Sequence, residues 1–77
     1  MQIENVGPYQ LHLIAHELSA PNTWDPFVEI YRFDEAMQDF RCVQEKQRAS
    51  AEPCASYEEA IERAREAGNA LVRNWQH

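Results

Sequence analysis

Apolar and polar residues alternate cleanly between positions 9 and 18. Tyr9, Leu11, Leu13 and Ala15 fall on one side, and Gln10, His12, Ile14, His16 and Leu18 on the other. A period of two is the signature of a strand with two differently solvated faces, so the pattern predicts a strand over 9–18. Before it, residues 1–8 read as a lead-in that ends at the turn signal Gly7-Pro8. After it, Pro21, Asn22 and Pro26 break any regular pattern, so 19–26 reads as a loop. Residues 27–33, Phe-Val-Glu-Ile-Tyr-Arg-Phe, are β-branched and aromatic and predict a second strand. Asp34 to Met37 is a connection of hairpin length without the Asn-Gly or Asp-Gly of the tightest turns. A third strand is expected over 39–47, starting from Phe40, Cys42 and Val43, and a loop through Pro53 follows it.

The last segment changes period. Tyr57, Ile61, Ala64, Gly68, Leu71 and Trp75 recur every three or four residues, which makes one apolar stripe along a helix over 57–75. Ser56-Tyr57-Glu58-Glu59 has the form of a capping box at its start. Glu58, Glu59 and Glu62 suit the positive end of the helix and Arg73 the negative end, with Glu59 and Arg63 spaced as an i,i+4 pair. Small residues at 60, 64, 67 and 68 fit a close approach to a sheet. The elements together predict one α+β domain over 1–77, a three-stranded antiparallel β-meander with the C-terminal helix packed on one face. A helix is ~10 Å across and covers only one face of such a sheet. Both faces carry apolar residues: Val28 and Ile30 on the second strand oppose Phe27, Tyr31 and Phe33. One set is therefore left uncovered, unless the first eight residues and the Trp24 loop fold over it. An uncovered set of that kind marks an interface, and a second copy of the chain is the simplest cover.

Composition narrows the function classes. A chain of 77 residues with 44% apolar and 26% charged residues is an ordinary small folded domain, too short for a two-domain enzyme or a barrel. No apolar run reaches the ~18–20 residues that span a bilayer, and the first residues have no basic and apolar pattern of an export signal. A cytoplasmic location is expected on that basis. The 13 acidic and 7 basic residues give a net charge of −6, which disfavours binding to phosphate backbones. Only residues 41–49 run the other way, with Arg41, Lys46 and Arg48 against Glu45.

No phosphate loop, nucleophile elbow or zinc spacing occurs, and no cofactor or metal site is expected. His12 and His16 would converge on a helix, but on a strand they lie ~13 Å apart. His77 is terminal. Cys42, between Phe40 and Val43, reads as a small packed hydrophobe. Cys54, just before a helix start, is the one thiol placed for activation. Trp24 lies in a polar loop and either anchors a partner or folds back over the core.

With its closing Tyr-Glu-Glu-Ala-Ile-Glu-Arg-Ala-Arg-Glu-Ala-Gly-Asn-Ala-Leu-Val-Arg helix entered by a capped Ser-x-Glu-Glu-Ala turn, the order of elements resembles small uncharacterised bacterial domains of β-β-β-α type over about residues 9–75. The resemblance implies a bacterial cytosolic protein and carries over no catalytic residue. The expected function is a non-enzymatic protein-interaction or regulatory module, as a homodimer or with another protein, with Trp24, Phe27, Tyr31 and Phe33 as interface candidates. A nucleic-acid-linked regulator using Arg41, Lys46 and Arg48 is the alternative. A thiol-dependent enzyme built on Cys54 comes third.

Overall fold

The computed structural model describes residues 1–75; His77 lies outside the described residues. Four strands and one helix follow in chain order: β1 (Gln2–Val6), β2 (Tyr9–Glu17), β3 (Trp24–Asp34), β4 (Asp39–Arg48) and α1 (Tyr57–Trp75). The strands form a single antiparallel sheet in the order β1-β2-β3-β4. The architecture is α+β, with four strands where the sequence pattern predicts three.

The added strand is β1. Val6 pairs with Tyr9 across a two-residue turn, and Gly7 takes φ 58. Pro8 holds its own φ near −65°, so only the first central residue is left-handed, the requirement of a type II′ hairpin turn. Gly7 thus joins two strands where the sequence suggests a lead-in. The alternation of β1 is inverted: Ile3 is on the side of His12, and Glu4 on the side of Leu11. Glu4 is tolerated over the core side because Arg65 of α1 binds it at 2.6 Å.

The strand expected over 27–33 begins earlier, at Trp24, and includes Pro26. Proline has no N–H to give a ladder, but the Pro26 carbonyl accepts from the Ala49 amide at 2.9 Å. Asp25 is buried there and bonded to Arg48. The second hairpin turns one residue later than the sequence pattern suggests, over Glu35 to Gln38. The Asp34 carboxylate accepts from the amides of Ala36 and Met37 at 2.9 and 3.3 Å.

α1 crosses β2 and β3 on one face. Leu11, Leu13, Val28 and Ile30 are fully buried under Ile61, Ala64 and Val72. A methyl group at Gly68 would lie 3.1 Å from Leu11 Cδ1 and 3.2 Å from Val28 Cγ2, so the helix approaches the sheet there closely enough that any side chain would press on these two residues. Ser56 Oγ accepts from the Glu59 amide at 3.1 Å, as the cap pattern predicts. Arg63, expected to pair with Glu59, instead bonds Glu66 at 3.0 Å. The Cα extents are 45 × 24 × 16 Å; the shortest holds one sheet and one helix and no third layer.

Candidate functional site

The register fixes what the second face of the sheet presents. Side chains alternate across a strand, so with Leu11, Leu13, Val28 and Ile30 under the helix, the other face carries Ile3 and Asn5 from β1. β2 adds Gln10, His12, Ile14 and His16; β3 adds Asp25, Phe27, Glu29, Tyr31 and Phe33. β4 is irregular: between its pairings with Val28, Ile30 and Tyr31 it twice contains an extra residue. The two bulges restore the alternation, so Phe40, Cys42 and Arg48 lie opposite Phe33, Tyr31 and Phe27 on this same face.

Aromatic rings run along it in pairs. Phe33 and Phe40 meet edge-on at 5.4 Å. The His12 ring lies 4.4 Å from that of Tyr31, and its Nε2 is 2.8 Å from Gln10 Oε1. His16 meets Phe27 edge-on at 5.2 Å. Above Phe27 lies the Lys46 ammonium, 4.9 Å from the ring centre and 2.7 Å from His16 Nε2. Arg48 reaches the same ring at 5.9 Å. Ile3, Phe33 and Phe40 are 51, 39 and 38% exposed, high values for large apolar side chains held in a sheet. The Tyr31 phenol pKa is raised, first by the charge of the Glu29 carboxylate and second by desolvation on burial.

Neither of the two segments expected as covers for this face lies over it. Residues 2–6 lie in the sheet as an edge strand. Trp24 is on the helix side, edge-on to Tyr57 at 5.5 Å and bridged to Cys54 by backbone hydrogen bonds of 2.9 and 2.8 Å. Of the four interface candidates, the structure thus brings Phe27, Tyr31 and Phe33 together and sets Trp24 apart. Ile3, Phe40 and Cys42 belong to the face as well. Alternation already places His12, Ile14 and His16 on one side in the sequence; β1 and the bulges of β4 carry no such sign.

The other candidates sit differently. Cys42, expected to be packed, is exposed, because it lies on an edge strand and on the side away from the helix. Cys54 is buried. Its thiol pKa is raised, by burial first and the Glu59 charge second, which opposes the activation expected near a helix start. The basic patch is dispersed: Arg41 is 3.8 Å from Asp34 at one end of β4, and Arg48 is paired with Asp25 at the other. A shallow cleft at the β3–β4 hairpin, lined by Pro8, Arg32, Phe33, Asp34, Glu35 and Arg41, sets two cations beside two anions. Among the described residues no helix is long and apolar enough to cross a membrane.

The class defined by these features is an open-faced antiparallel sheet backed by one helix. No family model, curated protein or solved structure matches the chain.

Proposed function

We propose that the chain is a non-enzymatic protein-interaction module that acts as a homodimer, two copies stacking sheet on sheet through their aromatic faces. The observation that carries this reading is the uncovered row of rings on β2, β3 and β4, with Ile3 beside it.

Area and charge support a second copy as the occupant. Four strands at ~4.8 Å and about nine residues at ~3.3 Å make a face of roughly 600 Å². Two such faces bury ~1,200 Å², the lower end of stable interfaces. The charged residues placed on the face by register or by contact with Phe27 are Asp25, Glu29, Lys46 and Arg48, two of each sign. The net charge of −6 therefore resides on the rest of the molecule. Stacking the neutral faces points both acidic surfaces away from each other, which keeps like charges farthest apart.

The second reading, a nucleic-acid-linked regulator, rests on Arg41, Lys46 and Arg48. Of these, two hold carboxylates, which leaves Lys46 to meet a phosphate. Sedimentation at micromolar concentration separates the readings. The homodimer gives a species of twice the 9.0 kDa chain mass, converted to monomer by Tyr31→Glu or Phe33→Glu and little affected by salt. A species of one chain mass at every concentration overturns it. Oligonucleotide binding that fades steeply with salt would instead favour the second reading.

A further inference from the structure

The chain's isoelectric point is about 4.9. Lowering the pH from neutral toward that value reduces its net charge, which on general grounds promotes association. The open face is constructed so that the opposite happens. An ammonium donates hydrogen bonds and accepts none, so the 2.7 Å contact between Lys46 Nζ and His16 Nε2 requires a lone pair on Nε2. The imidazole proton then resides on Nδ1. A second proton occupies that lone pair, breaks the bond and sets an imidazolium against an ammonium. Histidine is the side chain whose charge changes between pH 5 and 8.

The groups around His16 offer little relief. From β3, Asp25 is directly across and Phe27 meets the ring edge-on; from β4 come Lys46 and Arg48. Asp25 is the single counter-charge, and Arg48 already holds it. α1 lies on the other side of the sheet. His12 is placed differently. Glu29 is directly across from it on β3, Ile3 across from it on β1, and Tyr31 and Gln10 are its contacts. An imidazolium at position 12 has the Glu29 carboxylate across from it; one at position 16 has two cations and a carboxylate that Arg48 already holds.

We propose that His16 is an acid-operated release for the homodimer: its protonation breaks the Lys46 bond, sets an imidazolium against the Lys46 and Arg48 cations in each copy, and separates the two sheets. The inference rests on the homodimer reading and adds its regulation.

The test measures the dimer dissociation constant of the full chain at pH 7.5 and 5.5 at fixed ionic strength. A roughly 10-fold or greater rise on acidification is expected, because protons that the monomer binds and the dimer excludes favour dissociation. His16→Gln retains an acceptor for Lys46 without the titration, so it dimerises at pH 7.5 and loses most of the pH response. His12→Gln keeps it. A constant that is flat or falls on acidification, or a His16→Gln variant as acid-sensitive as the parent, overturns the inference and leaves the homodimer standing. A chain that is monomeric at both pH values overturns the two together. In the Phe33→Glu variant, nitrogen NMR of the His16 ring reads the tautomer without any need for association. Nδ1–H is expected at pH 7.5, and Nε2–H refutes the proposed bond.

Discussion

Gln38 is left-handed, with φ 57, in a region that costs a residue with a Cβ about 1–2 kcal/mol. It closes the β3–β4 hairpin because Asp34 has already committed two amides of the turn, and its own side chain donates to the Glu35 carbonyl at 2.6 Å in solvent. Glycine at this position removes the strain and adds chain entropy to the unfolded state. Gln38→Gly is expected to stabilise the fold by about 0.5 kcal/mol, seen as a higher urea midpoint with an unchanged slope. A lower midpoint contradicts it. Gln38 also shows what a single chain does not disclose: glutamine is no turn signal, and the connection is legible in length but not in its turning residue. Glu4 is a second case. An acid over the core side of a strand reads as lead-in until Arg65, 61 residues away, is brought to it.

Whole elements were more legible than residues. α1 announces itself through a serine cap and an apolar stripe, both local, and its bounds follow from them. β2 is legible because its two faces differ in burial. The beginning of β3 is not, since Trp24-Asp25-Pro26 carries loop chemistry and becomes strand only when Arg48, Ala49 and Cys54 supply its partners. Those partners make a testable joint between β3 and β4. Asp25 is 8% exposed, and removing the cation leaves its carboxylate without that partner. With the Arg48 side chain 44% exposed, the loss is moderated by solvent, so Arg48→Met is expected to cost about 2 kcal/mol. The double variant with Asp25→Asn should recover part of it. Equal destabilisation of single and double variants in urea titrations would show that the pair is not the cause.

For the whole molecule, the sequence yields the two-layer plan and the excess of apolar residues over what one helix covers. Which side the helix takes depends on contacts such as Gly68 against Leu11 and Val28, and these are properties of the packed pair. Removing residues 57–75 uncovers Leu11, Leu13, Val28 and Ile30 at once. A sheet apolar on both sides is expected to aggregate, with loss of cooperative unfolding. A truncated chain that elutes as a monomer and melts in one transition contradicts this division of the core.

The bulges of β4 also make the two margins of the sheet unequal. An edge strand displays unpaired amides and carbonyls on which another chain can continue the ladder. Along β4 two extra residues interrupt that template, and a bulged edge is twisted out of step with any straight newcomer. β1 pairs with β2 in unbroken register from Gln2 to Val6 and is protected mainly by its five-residue length. Growth of the sheet by an added strand is therefore disfavoured at both rims, by bulges at one and by a short strand at the other. In the proposed homodimer, stacking of faces closes on itself, because the helix covers the other side of each sheet.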